Sequence, residues 1–256
     1  MAVDEAMLES HLGGETPPTV RLYGFDPAAM TLGYAQKLDA PTLKRIRDCG
    51  FDLARRPTGG RAVLHLNEIT YSFIGTSRLR DAISPDERTA DQGFLAPTIL
   101  GAYKQICQGL IFALEELGVS TALGASNSAY RQVHDCFLAT TSADLHYLGT
   151  KMVGSAQCRR GQGVLQHGSV LLNQEQSIME NLLTGSQPCA GLPRESARHA
   201  NLFDALNRDL SIDDLAKAIR SGFERAFEVK LVPGELTSSE KDALQNLRDK
   251  YLVSSA

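Results

Sequence analysis

The run RRPTGGRAVLH, Arg55 to His65, places three arginines around a bare Gly59-Gly60 turn and then enters an apolar strand. Glycines let a backbone bend sharply and approach a ligand closely, and arginines attract carboxylates or phosphates. Neither common phosphate fingerprint is present: the chain has no G-x-x-x-x-G-K-[ST] loop and no G-x-G-x-x-G between a strand and a helix. On its own the run fits an ordinary tight turn with solvated arginines equally well.

A second block stands downstream: GTKMVGSAQ, Gly149 to Gln157, followed by LQHGSVLL, Leu165 to Leu172. Together, in this order and at this spacing, the two blocks resemble the lipoate-protein ligase A and octanoyltransferase superfamily, whose catalytic domain is related to that of biotin protein ligases. The resemblance spans residues 1–225. With Glu68 and Thr70-Tyr71-Ser72 behind it, the first block is most similar to the cysteine-dependent octanoyltransferases.

That resemblance implies a reaction. In those relatives a nucleophilic cysteine, in a Cys-Phe pair within an irregular loop, precedes the motif lysine by a short interval; here Cys136-Phe137 precedes Lys151. The implied enzyme takes an octanoyl group from acyl carrier protein, holds it as a thioester on Cys136, and passes it to a lysine of a lipoyl domain or of glycine cleavage H protein. A nearby ammonium favours the reactive thiolate, so Lys151 is expected to activate the sulfur, polarise the thioester carbonyl and assist proton loss from the incoming amine. Backbone N–H groups near Gly154 and Ser155 are candidates for the oxyanion site. Substrate contacts are expected from Arg56, Thr58, Gly59, Gly60, Arg61, His65, Gly154, Ser155, Ala156, His167 and Gly168. Arg55, Arg56 and Arg61 are expected to meet the acidic carriers or the phosphopantetheine phosphate. Burying roughly six methylenes at ~0.8 kcal/mol each contributes about 5 kcal/mol, which makes an apolar tunnel the expected determinant of chain length. Thioester exchange is nearly balanced and amide formation is downhill, so neither ATP nor another cofactor is expected.

Each residue also has a plainer reading. An isolated Cys136 reads as a buried structural cysteine, Lys151 outside its motif as a surface charge, and His65 and His167 as hydrogen-bonded residues at strand ends. Cys189, in QPCAG, faintly resembles the catalytic cysteine segment of the other octanoyltransferase family and is the rival nucleophile; Cys158 ranks third. Leu66 departs from the pattern, since many relatives carry an acid there. Three other activities stay open: an ATP-dependent lipoate ligase holding an acyl-adenylate, a lipoyl amidotransferase, and a non-catalytic acyl-binding or carrier-binding module.

The elements that must position these groups are partly legible. The chain has 256 residues, 43% of them hydrophobic, enough to bury a full core. No apolar run is long enough for a bilayer, and MAVDEAMLES has acids where a signal peptide has bases, so a cytoplasmic protein is expected, with no membrane partner. A net charge of -4 argues against nucleic acid. Five cysteines without a C-x-x-C pair predict reduced thiols, and no clustered ligand spacing predicts a metal.

Val3, Met7, Leu8 and Leu12 predict an opening helix. Relatives usually have a strand before it, so the sheet edge is expected to differ and the start to be truncated or misassigned. Strands are predicted at Thr19 to Gly24, Asp52 to Arg56, Ala62 to Leu66, Thr70 to Ile74, Asp144 to Leu148, Lys151 to Val153 and Val164 to Leu172, with Gly59-Gly60 in the turn between the second and third. Helices are predicted from Asp39-Pro41 to Gly50, from Leu95 to Gly118, around Leu215, Ile219 and Phe223, and after the capping box Thr237 to Glu240. Stretches 124–143 and 184–201 show no period. The expected architecture is α+β: a mixed central sheet flanked by helices in a biotin/lipoate protein ligase-like catalytic domain (1–225), with a C-terminal helical extension (226–256) packed on it.

Overall fold

The computed structural model describes residues 1–77, 94–124, 134, 136, 144–173, 178–185 and 199–253. Its frame is a six-stranded antiparallel sheet in the order β1-β5-β9-β8-β7-β6. These strands are β1 (Thr19–Tyr23), β5 (Glu68–Thr76), β6 (Ala122–Leu123), β7 (Leu145–Tyr147), β8 (Thr150–Arg160) and β9 (Gly163–Leu171). A smaller sheet, β3-β2-β4, is mixed: β2 (Ala29–Leu32) pairs in parallel with β3 (Asp52–Arg55) and antiparallel with β4 (Val63–His65). The α+β class with a mixed sheet is therefore borne out.

Two helices cover one face of the large sheet. α3 (Ile99–Glu116) packs on α6 (Ile212–Phe227), and between them and the sheet lie Tyr71, Phe73, Ile106, Leu110, Leu215, Ile219 and Phe223. Close approach of the two helices requires glycine: a Cβ on Gly222 would lie 2.2 Å from the Gly109 carbonyl oxygen. Thr98 caps α3, accepting from Gly101 N–H, so the helix begins after Leu95, which instead bridges to Ser77. The outer face carries α1 (Ala2–Leu12), with Met7 and Leu8 packed against Ile74 and Leu165.

The small sheet has its own core, in which Met30, Leu32, Leu53 and Leu64 meet Ile46 of α2 (Ala40–Asp48) and Met179 and Leu182 of α4 (Ile178–Thr184). Leu66, where an acid was expected by analogy, packs against this cluster. Asp39 caps α2 as predicted, and the Thr237–Glu240 box opens α7 (Ser238–Leu247) with both reciprocal hydrogen bonds. α7 packs on α1; beyond it Leu252 bridges to Ala54, and Lys250 and Tyr251 both donate to buried Glu5. α5 (Leu202–Leu206) completes the described helices.

Gly59-Gly60 lies between β3 and β4 as predicted, but these two strands do not pair with each other, because β2, which the sequence reading does not place, lies between them. All four residues of β2 are buried, so it shows no alternation by which a sequence reading would find it. The expectation of five reduced thiols fails at Cys49, which is disulfide-bonded; among the described residues Cys107, Cys136 and Cys158 are free. Cysteine count and spacing do not report pairing across a fold. Cys189, Phe137 and most of the two aperiodic stretches also lie outside the described residues.

Candidate active site

Lys151 is the second residue of β8, and in a regular strand it would share a face with Val153, which lies in the helix-side core. The register breaks between them. Leu145 faces Val153 while the next residue, His146, faces Lys151, so Met152 is an extra residue on β8. Met152 and Val153 both enter the helix-side core, and the bulge turns Lys151 to the opposite face.

There the Lys151 ammonium donates to the backbone carbonyl of Cys136 at 2.8 Å and stands 3.7 Å from Cys136 Sγ. Its Nζ is 3.0 Å from Asp144 Oδ2, and the two side chains are 3% and 1% exposed. Cys136 is held against the first block of the sequence. Its N–H donates to Ala62 O, and Ala62 N–H donates to His134 O, both at 2.9 Å. A Cβ on Gly154 would lie 3.5 Å from both Cys136 Sγ and Lys151 Nζ, so glycine leaves the space beside the sulfur and the ammonium open.

A pocket opens at this point between the large sheet and the small one. Its wall includes Cys136, Gly154, Ser155, Ala156, His167 and Gly168 from the second block and its surroundings, and Arg56, Val63 and His65 from the first; Met1, Thr70 and Ser169 complete it. Eight of the sequence-chosen residues thus converge on one cavity, and Lys151 joins them through its contact with Cys136.

Two of the arginines are held by backbone carbonyls. Arg56 is buried, and its guanidinium donates to Thr31 O and Oγ1, both at 2.9 Å, to Gly59 O at 3.0 Å and to Arg61 O at 2.8 Å. Arg55 donates to the carbonyls of Gly33, Tyr34 and Gln36. Arg56 braces the Gly59-Gly60 turn against β2 while lining the pocket, and Arg55 holds the loop that follows β2. Gly60 has φ +96°, and a Cβ on Gly33 would meet its carbonyl oxygen at 2.1 Å, so the loop needs glycine on both sides of this contact. A Cβ on Gly59 would meet nothing within 4 Å.

Both histidines line the pocket with their ring nitrogens engaged. His65 Nε2 is 2.8 Å from Thr31 Oγ1, its Nδ1 is 3.0 Å from Glu68 Oε1, and its ring stacks on Phe25. His167 Nδ1 is 3.2 Å from Asp4 Oδ2 and its Nε2 is 2.7 Å from Thr58 Oγ1. Burial pushes the His167 pKa down from 6.5 and outweighs Asp4. Burial pushes the Asp4 carboxyl up, but the bond with His167, the amino terminus and Arg21 together hold it well below the carboxylate range. The ionised carboxylate therefore accepts from His167 Nδ1–H, and the neutral ring's Nε2 accepts from the Thr58 hydroxyl. Thr58 acts here by fixing a histidine. Ser155 turns its hydroxyl toward Tyr71 on the helix side.

Sequence reasoning missed Asp144, Gly33, Asp4 and Ser169. Asp144 immediately precedes a short strand and reads as turn chemistry; Asp4 reads as first-turn helix acidity. Ser169 was within reach, two positions from His167 and so on the same strand face.

The rest of the fold matches proteins already known. The family description Lipoyl protein ligase A/B catalytic domain matches residues 1–224. A curated octanoyltransferase LipM from Symbiobacterium thermophilum is 34% identical over 96% of this chain and 88% of its own length. That from Moorella thermoacetica is 34% identical over 98% and 90%. Among solved structures, lipoate-protein ligase A bound with ATP superposes with a TM-score of 0.71 at 24% identity, covering 97% of this chain and 88% of that one. Protein Ta0514 of T. acidophilum, solved with bound lipoic acid, gives 0.72 at 24% identity over the same shares. At this identity the two structures establish the biotin/lipoate ligase-like fold. The chain belongs to the lipoyl protein ligase A/B catalytic domain family and is an acyltransferase.

Proposed function

We propose that this protein is an octanoyltransferase of protein lipoylation, which receives the acyl group from acyl carrier protein as a thioester on Cys136 and delivers it to a lysine of a lipoyl domain or glycine cleavage H protein. The observation that carries this reading is the placement of Cys136 Sγ 3.7 Å from Lys151 Nζ, beside the open space at Gly154 and on the wall of the pocket. The curated relatives named octanoyltransferase support it.

The chemistry needs two displacements. Cys136 thiolate attacks the carrier thioester carbonyl, the C–S bond to the carrier breaks, and the carrier sulfur leaves and takes up a proton. A neutral lysine amine of the acceptor then attacks the Cys136 thioester; the sulfur leaves, and the proton lost from nitrogen returns to it. Both steps place negative charge on sulfur and on the carbonyl oxygen, and an ammonium in a site sheltered from water stabilises that charge. Backbone N–H groups near Gly154 and Ser155 are the proposed further donors to the oxygen.

The test is intact-mass analysis after mixing with octanoyl carrier protein without ATP. The unsubstituted protein should gain one octanoyl group, Cys189→Ala should retain it, and Cys136→Ala should not. Acylation lost only in Cys189→Ala would move the nucleophile there, and acyl transfer only from free acid with ATP would make the protein a ligase.

A further inference from the structure

Among the atoms that face the Lys151 ammonium is a carboxylate oxygen with no place in the chemistry described so far. Asp144 Oδ2 stands 3.0 Å from Nζ, which also contacts the Cys136 carbonyl and Sγ. A lysine buried to this degree without a counter-charge loses its proton, because desolvation disfavours the ammonium, and a buried carboxylate at hydrogen-bond distance reverses that preference. Asp144 is itself positioned by the sheet. It immediately precedes β7, and its backbone carbonyl accepts from Gly124 N–H. The β7–β8 pairing that contains the bulge at Met152 therefore brings both partners of the ion pair together: the carboxylate stands immediately before β7, and the bulge turns the lysine to the face where the two meet.

We infer that Asp144 is a positioning residue of the reaction: it keeps Lys151 charged and aims the ammonium at Cys136 Sγ, acting on the sulfur only through the lysine. This rests on the reading of Cys136 as the nucleophile and deepens it. Lys151 is thereby an electrostatic stabiliser and not a proton acceptor, consistent with a second displacement in which the departing sulfur receives the amine's proton.

The experiment compares four proteins: unsubstituted, Asp144→Asn, Lys151→Met and the double variant. Asparagine keeps the size and a hydrogen-bonding oxygen while removing the charge, and folding is checked by thermal melting. The readout is the rate of Cys136 alkylation by iodoacetamide at neutral pH, resolved by peptide mass so that other cysteines do not contribute. Both single variants should fall about tenfold or more, and the double variant should react no more slowly than Lys151→Met, since without the lysine Asp144 has nothing through which to act. An unchanged or faster rate in Asp144→Asn would overturn the inference by showing the lysine charged without its partner. A double variant well below Lys151→Met would overturn it by showing an effect that bypasses the lysine. If the alkylation pattern holds but octanoyl carrier protein leaves no acyl group on Cys136, the functional reading fails while the role of Asp144 stands.

Discussion

Tyr71 Oη and Ser155 Oγ meet at 2.7 Å although their strands, β5 and β8, are not neighbours. Gly168 of β9 lies between them, paired in register with both. Its missing side chain lets the tyrosine reach across a whole strand, and Gln166 donates to the same tyrosine oxygen from β9. A Cβ on Gly168 would sit 2.4 Å from Ser155 Oγ and 2.5 Å from the Gly154 carbonyl oxygen. The pocket wall and the helix-side core are thus joined through one glycine.

Gly168→Ala should therefore destabilise the protein by about 1–3 kcal/mol, the usual result of forcing atoms into a packed site, because the Gly154 backbone cannot rotate aside as a side chain would. Urea unfolding measures it. Acyl transfer should fall with it, since the displaced strand carries Gly154.

Lys151→Ala should slow acyl transfer by about a hundredfold or more, the scale of a lost electrostatic group. The motif alone suggests little effect on folding. The buried pair with Asp144 changes that expectation: an uncompensated carboxylate should lower stability by about 3–5 kcal/mol, and adding Asp144→Asn should restore part of it. Denaturation of the single and double variants separates the catalytic loss from the folding loss.

Gly60→Val should act through strain. With φ +96° and Arg56 Nη2 only 3.1 Å from a Cβ there, the side chain meets the bracing guanidinium before it meets the pocket. The cost should be about 1–3 kcal/mol, with butanoyl and octanoyl transfer slowed equally. A loss confined to octanoyl would place Gly60 in the acyl channel.

Stability should decline as pH falls from 6.5 toward 4. Burial lowers the pKa of His167 from 6.5 and takes that of His199 to about 4. The unfolded chain binds protons in this window that the folded chain does not, so acid favours unfolding. In His199→Gln, urea midpoints measured across the window should show a shallower slope.

Iodoacetamide at pH 8 should label Cys136 well before the other two described free thiols. Burial, then the Asp4 charge, pushes the Cys158 thiol up to about 11, and burial raises Cys107 far above the ordinary range. Cys158→Ala should transfer acyl groups normally. Rapid labelling of Cys158 would bring it back as a candidate nucleophile.

The resemblance carried by the two blocks points to Cys136 and Lys151, and the sequence itself locates the helices whose caps and periods are local: Asp39 before α2, the Thr237–Glu240 box, and the Leu215, Ile219 and Phe223 stripe. Such signals are carried by neighbours within a turn or two, so they survive without a fold. The tertiary structure decided what depends on pairing between distant strands. The parity of a strand assigns Lys151 to the same face as Val153, and only the alignment of β7 against β8 shows the extra residue that reverses it. Residue types cannot show that Arg56 reaches Thr31, and only the insertion of β2 beside β3 and β4 brings that residue to its guanidinium. Register and burial are long-range properties: they determine which face a side chain takes and which partner it meets, and residue types along one chain do not encode them locally.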